Sequence, residues 1–271
     1  MNTANVATVT SADSYAKRGS LDVLRHSAIL ARRQVVKTFR TPEGLIDVTL
    51  APIMFTLLFA YIFGGAISGS VDDYLPWLIP GIIGQNIAFA SVGIGITLKA
   101  DIDKGIFDRF RSLPISRLAP LLGAVLGDVV RYVLLIAVML GTGFALGFRI
   151  ETSVLHALLA CALAIVFALS LAWAPVVVGL VARTEQAVQG IVFMTLFPLT
   201  FASNAFVDTA SMPGWLRAFA DANPISHLVE AMRALLNGGE WQEPALWTLG
   251  WCAFLVALFM PLAMRIYSRR T

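Results

Sequence analysis

The sequence predicts an all-α integral membrane protein with six transmembrane helices. Three observations carry this. The 271 residues are 58% hydrophobic and 14% charged, with a mean hydropathy of +0.77, whereas a soluble domain is roughly 45–50% apolar and about 25% charged. The chain falls into six long apolar runs, at 45–66, 75–98, 118–148, 154–182, 187–206 and 244–264. Finally, the lysines and arginines gather in alternate connections between those runs.

A helix rises ~1.5 Å per residue and a bilayer core is ~30 Å thick, so each run is long enough to span. Basic residues stay on the cytoplasmic side. With a cytoplasmic N-terminus, the inside set is Lys17, Arg18, Arg25, Arg32, Arg33, Lys37, Arg40, Lys99, Lys104, Arg109, Arg111, Arg117, Arg183, Arg265, Arg269 and Arg270. The outside set is Arg149, Arg217 and Arg233. The expected topology is therefore six spans with both termini cytoplasmic. Residues 1–20 contain no apolar run that would serve as a cleavable signal, so the first span is the expected targeting signal. Arg outnumbers Lys, and Ala, Leu and Val dominate, which suits a GC-rich bacterial source and a multi-pass protein of the plasma membrane.

Around those spans, residues 1–19 read as a flexible cytoplasmic tail and 20–271 as a single transmembrane domain. In 20–40, Leu21, Leu24, Ala28, Ala31, Val35 and Phe39 keep a helical spacing while Arg25, Arg32, Arg33, Lys37 and Arg40 fill the other face. Such a helix suits the headgroup layer, although the pattern also fits a helix packed on the same protein. Pro42 ends it and suits the first turn of the next helix.

The segment 99–117 is the longest charged stretch between two apolar ones. Ile102, Ile106, Phe107 and Phe110 fall at helical spacing there, so a short surface helix would offer an aromatic ridge; a basic loop that merely fixes orientation is the plainer alternative. On the other side, 207–243 is the one long outer connection. Asn223 is a suitable cap with Pro224 at the first helical position, and Gly238-Gly239 stops the run that follows. Two short helices are expected there, dipping into or lying on the outer face.

Charges inside spans default to a functional reading. Asp128 and Arg131, three apart, share a helix face and can pair with each other or with a neighbouring helix, or else meet a substrate. Gln85 and Asn86 are candidates for a polar patch in a pathway; they lie among Gly81, Gly84, Ala88, Ser91, Gly93 and Gly95, a pattern that also serves close helix packing. Phe193, Met194, Phe197 and Phe201 form a soft aromatic stripe suited to amphipathic ligands, or to core or lipid. Cys161 and Cys252 lie in apolar runs and read as buried free thiols. There is no G-x-x-x-x-G-K-[ST] loop, no H-E-x-x-H, and the three histidines (His26, His156, His227) are scattered. No catalytic residue, metal or cofactor of its own is expected.

The segment Gly105-Ile106-Phe107-Asp108-Arg109-Phe110-Arg111-Ser112-Leu113-Pro114-Ile115-Ser116-Arg117 closely resembles the cytoplasmic motif of ABC-2 type permeases. Its D-R-F-R-S-L-P-x-S-R form is similar to the daunorubicin/doxorubicin-resistance branch, in which Asp108 stands where many of these permeases carry Glu. The outer block from Asn223-Pro224 through Ala231-Met232-Arg233-Ala234-Leu235 resembles the branch's N-P-x-x-x-x-x-x-A-x-R-x-L block. The resemblance implies a dimer of permeases, identical or closely related, served by two copies of a separate ATP-binding subunit that holds ATP and magnesium. It implies a coupling helix comprising Ile102, Ile106, Phe107, Asp108, Arg109, Phe110 and Arg111, with Leu113, Pro114 and Arg117 completing the motif. The 20–40 helix would be the interfacial connecting helix. The pathway would run between the two copies, lined largely by spans one, two and five.

The expected function is export of a hydrophobic drug or secondary metabolite, driven by the partner. A lipid or lipid-linked glycan is the alternative cargo. An intramembrane enzyme or assembly factor is the alternative from another class, with Asp128 and Arg131 its one paired candidate. No nucleic-acid partner is expected.

Overall fold

The structure, a computed structural model, describes residues 42–106 and 119–269. The 1–19 tail, the 20–40 helix, and the motif residues Phe107, Asp108, Arg109, Phe110, Arg111, Leu113, Pro114 and Arg117 lie outside the described residues.

Among the described residues all regular structure is helical. Helix α1 (Pro42–Ser68) leads through Gly69, at φ +81°, to α2 (Val71–Ala90), which Ser70 caps by accepting from the Asp73 N–H. A left-handed backbone of that kind suits glycine, so the reversal between the two helices is tight. Helix α3 (Val92–Asp103) continues α2, and α4 (Ala119–Gly127) is continued by α5 (Val129–Leu146). Helices α6 (Val154–Leu171) and α7 (Trp173–Val181) form the next pair. Helix α8 (Glu185–Phe201), a 3-10 turn at Thr209–Ser211, the short α9 (Gly214–Ala222) and α10 (Pro224–Asn237), and the long α11 (Gln242–Arg269) complete the chain.

Five of these stretches are long and apolar enough to cross a membrane: Thr49–Ser68, Val71–Asp103, Pro120–Leu146, Val154–Val181 and Gln242–Arg269. The remaining run, 187–206, forms the 17-residue α8 and then leaves the helix at Ala202. That gives ~25 Å of helix, the short end of the spanning range.

Three of the crossing stretches are each interrupted by one residue, at Ser91, Asp128 and Ala172. The causes are local. Ser91 turns its hydroxyl back onto the Ala88 carbonyl at 2.6 Å, competing with the helical ladder. Pro175 has no N–H to give the Leu171 carbonyl, so the chain shifts at Ala172. Asp128, just after Gly127, sits at φ −80°, ψ −8°.

Glycine lets the inner helices touch. A Cβ on Gly95 would fall 2.5 Å from the Pro175 carbonyl oxygen, and one on Gly179 would fall 2.5 Å from that of Gly95, so α3 and α7 meet backbone to backbone. Gly81 packs so closely on the Ala205 carbonyl that any Cβ would overlap it. The stripe of small residues in the second run therefore serves close packing. Around it, one apolar core joins α2, α5, α6 and α10, and a smaller one joins Ile94, Leu98, Leu121, Trp173, Val176 and Tyr267 at the other end of the bundle. Cys161 and Cys252 are free thiols.

The 207–243 connection folds as its turn residues direct. The Asn223 side chain accepts from the Ile225 N–H with Pro224 opening α10, and Gly238, at φ +94°, ends it. The loop between α5 and α6 satisfies the end carbonyls of α10: Thr152 Oγ1 donates to Leu235 at 2.6 Å and the Glu151 N–H to Leu236 at 3.0 Å. Most of α10 is buried, so this segment is part of the body.

Candidate functional site: an aromatic groove and an outer chamber

Helix α8 places Gln189, Phe193, Phe197 and Phe201 at intervals of four, which on a helix is one face. That face looks onto α1 and α2 across a half-open groove of about 380 Å³, lined also by Phe55 from α1, by Gln85, Asn86 and Phe89 from α2, and by Arg131 from α5. The rings are in register: Phe89 meets Phe193 at 5.1 Å between centroids, and Phe197 stacks on Phe201 at 4.5 Å. The file continues from Phe201 to Phe206 at 5.5 Å and from Phe206 to Phe59 at 4.4 Å. Five of the six predicted pathway residues are thus brought together. Met194 is not among them. One residue past Phe193, it is rotated ~100° away and is 82% exposed on the outer surface of α8.

Asp128 and Arg131 do pair within one chain, Arg131 Nη1 lying 3.7 Å from Asp128 Oδ2. Arg131 Nη2 also donates to the Ala90 carbonyl at 3.0 Å, beside the break at Ser91 where Ile94 N–H reaches only three residues back. Gly93 leaves room for this guanidinium, since a Cβ there would overlap Arg131 Nη1. The groove therefore has a cationic floor held by the third crossing stretch.

On the cytoplasmic-motif side, Ile102 lies in the last turn of α3 and packs against the smaller core. The helix closes at Asp103: Lys104 N–H reaches Ala100, Gly105 N–H reaches Ile102, and Gly105 sits at φ +66°. This corrects the expectation that Ile102 and Ile106 share one continuous helix; Phe107 and Phe110 lie outside the described residues. A left-handed glycine stops a helix after its last turn, and Ile106 stands beyond that stop. Buried Lys99 pairs with Asp103 at 2.6 Å in the same turn.

A second space, about 610 Å³, lies between α2, the end of α8 and α10. Arg233 crosses its wall. Its guanidinium lies 3.6 Å from the Trp77 ring centroid, and Nη2 donates to the carbonyls of Trp77 at 3.1 Å and Asn204 at 3.0 Å. Burial pulls the Arg233 guanidinium down to about 9, so it is still cationic at neutral pH. Nearby, Asn237 Nδ2 donates to the Pro76 carbonyl at 2.7 Å. The helical partner of that carbonyl would be residue 80, which is a proline and has no N–H. Sequence reasoning missed Trp77, Asn204, Arg233 and Asn237 as a group; the Pro76 carbonyl that Pro80 leaves unserved was a signal for Asn237 alone.

The chain matches the ABC-2 type transporter family over residues 26–237, which contain the groove and most of the chamber's lining. The chain belongs to the ABC-2 type transporter family. Among relatives of this ABC-2 protein, the daunorubicin resistance ABC transporter permease protein DrrB1 of Streptomyces coeruleorubidus is 42% identical over 84% of this chain and 81% of its own. The probable doxorubicin resistance ABC transporter permease protein DrrC of Mycobacterium tuberculosis is 27% identical over 81% of this chain and 80% of its own. The putative transport permease ycf38 of Cyanophora paradoxa is 24% identical over 79% and 74%. The protein is thus a multi-pass membrane permease, the membrane component of an ABC exporter. It has no ATP-binding motif of its own, and ATP hydrolysis belongs to a partner subunit.

Proposed function

We propose that this permease exports a hydrophobic, aromatic drug or secondary metabolite from a bacterial cell. The observation that carries the reading is the groove: rings on α8 and α2 stand opposite two carboxamides, Gln85 and Asn86, and one cation, Arg131. Apolar walls with a few convergent polar groups suit a planar amphipathic ligand. The relatives from Streptomyces and Mycobacterium, which are drug-resistance permeases by name, point the same way.

In this reading the plasma-membrane protein has six spans, α8 being the fifth, with both termini in the cytoplasm. Two copies form a dimer and two ATP-binding subunits, carrying ATP and magnesium, drive it. The open side of the groove faces the second copy. Ile106, Phe107, Asp108, Arg109, Phe110 and Arg111 seat on the ATPase, with Leu113, Pro114 and Arg117 shaping the turn that follows, and Ile102 anchors this unit to the body. Closure of the ATPase pair on ATP moves that unit, and with it α3 and the groove wall it continues.

The test is ATP hydrolysis by the co-purified permease–ATPase complex in lipid, with and without a panel of amphipathic aromatic drugs. Saturable stimulation by a drug, lost in Phe107→Ala/Phe110→Ala, is the expected result. Hydrolysis that ignores every drug but responds to a lipid or lipid-linked glycan overturns the cargo assignment. Drug stimulation that survives in a well-folded double variant overturns the coupling assignment.

A further inference from the structure

We propose that the crossing stretches share one hinge level, about which the cytoplasmic-motif end of the permease pivots against the rest of the body. The first observation is a defect in each of the five stretches long enough to cross. Three are the breaks at Ser91, Asp128 and Ala172. The other two are prolines inside continuous helices, Pro52 in α1 and Pro261 in α11. Neither has an N–H to close the turn before it, so each ladder lacks one bond there. Counted from the motif-end terminus of its helices (Pro42, Asp103, Ala119, Val181 or Arg269), every defect lies ~12–18 Å in. Contacts fix the same level in space. Pro52, Ala90, Gly93 and Arg131 line one groove, and Gly95 packs on the Pro175 carbonyl.

The apolar cores supply the independent observation. Along α2 and α3, Ala90 and Val92 belong to the larger core, Ile94 and Leu98 to the smaller. Along α4 and α5, Val125 belongs to the smaller and Tyr132 to the larger. Leu171 belongs to the larger and Trp173 to the smaller, and on α11 the change falls between Leu255 and Ala263. The interior is thus divided at the level where the ladders are weak. Leu169 and Phe259, partly buried, touch both cores. Two packed bodies joined by a few weak turns are what a hinge requires, because the backbone change is then confined to those turns.

Arg131 stands at the pivot. Its Nη2 holds the Ala90 carbonyl on one side of the Ser91 break, and Gly93, on the other side, lies against the same guanidinium. Asp128 Oδ2, 3.7 Å from Nη1, makes no hydrogen bond, and the fully buried Tyr132 hydroxyl makes none among the described residues. Buried polar atoms rarely stay without partners. Two of them at one junction mark this arrangement as one of a pair, since a small rotation of α4 against α5 re-aims both. Helix α8 runs unbroken past this level, with Pro198 near its outer end, and contributes only to the larger core. Its rings therefore stay with the outer body, while Gly93 and Ile96 in α3 go with the motif end. The groove straddles the level, so the pivot moves its floor against its wall. That ATPase closure drives the pivot rests on the exporter reading; the division into two bodies does not.

The experiment uses the full-length permease co-purified with its ATPase, in lipid nanodiscs and a Cys161→Ala/Cys252→Ala background, with spin-labelled chains diluted in unlabelled ones. Leu158→Cys/Val181→Cys, both exposed, straddles the Ala172 break at ~35 Å along the stretch. Leu158→Cys/Leu249→Cys joins two helices of the outer body. Pulsed electron–electron resonance is read without nucleotide and again with ATP and vanadate. The distance across the break is expected to change by about 3 Å or more, and that within the outer body by less than about 1 Å. Pro175→Ala, which returns an N–H to the Leu171 carbonyl, should at least halve the change across the break. No change across the break, or equal changes in both pairs, overturns the hinge, and so does a full change in Pro175→Ala. If Pro175→Ala does not fold, the two label pairs still decide. Rigid stretches in a complex whose hydrolysis responds to drug would remove the hinge and keep the exporter reading. A change across the break in a complex that ignores every drug would do the reverse.

Discussion

Arg131 Nη2 donates to the carbonyl oxygen of Ala90 at 3.0 Å, across 41 positions of the chain. The bond ties α5 to α2 at the point where α2 gives way to α3. It also explains why Gly93 stands where it does, since a side chain there would push the guanidinium out.

Arg131→Met should therefore be strongly destabilising. It leaves Asp128, 3% exposed, as a buried carboxylate without its cation, a change that costs about 3–5 kcal/mol. Thermal unfolding in detergent should show a lowered midpoint, and Asp128→Asn/Arg131→Met should recover part of the loss. A double variant no better than Arg131→Met would mean that the pair is not what holds this junction.

Glycine packing gives a second expectation. Gly95→Ala places a Cβ 2.5 Å from the Pro175 carbonyl oxygen, and backbone cannot rotate aside, so a loss of about 1–3 kcal/mol is expected. Gly141→Ala meets nothing within 4 Å and should gain about 0.5–1 kcal/mol from the unfolded state's lost freedom. Comparing the two midpoints tests the α3–α7 contact directly, and similar values would sink it.

The groove separates neighbours in sequence. Phe193→Ala and Phe197→Ala remove groove walls and should weaken drug stimulation of the complex's ATPase about tenfold or more in half-maximal concentration. Met194→Ala, on the other side of α8, should leave that concentration unchanged while the resting hydrolysis of all three stays normal. If Met194→Ala were as damaging as Phe193→Ala, the ligand would be binding elsewhere.

Topology is checked by cysteine labelling in a Cys161→Ala/Cys252→Ala background. Asp73 and Ser268 are both exposed, so Asp73→Cys should react with an impermeant maleimide on intact cells and Ser268→Cys only after permeabilisation. Labelling of both from outside would place the C-terminus on the wrong side for six spans.

Much of the fold was legible because the bilayer imposes a length and a hydropathy that sequence displays directly. Five of the six apolar runs, the Asn223-Pro224 helix start and the glycine stop at Gly238 were all local statements, and each holds in the described residues. The failures were equally physical. The ridge expected to start at Ile102 assumed a helix unbroken as far as Ile106, and the φ +66° of Gly105 decides otherwise. Met194 read as part of a stripe because composition carries no angle, whereas the period of a helix turns it away from Phe193.

By itself the sequence determined the membrane class, the apolar crossing runs, the turn chemistry and the resemblance to ABC-2 permeases, because these rest on composition and on patterns only a few residues long. Only the tertiary structure decided that Arg131 reaches Ala90, that the α8 rings stand over Gln85 and Asn86, and that Trp77, Asn204, Arg233 and Asn237 enclose one chamber. Each of those depends on where a helix breaks and how closely two backbones approach, and both are set by packing among residues far apart in the chain.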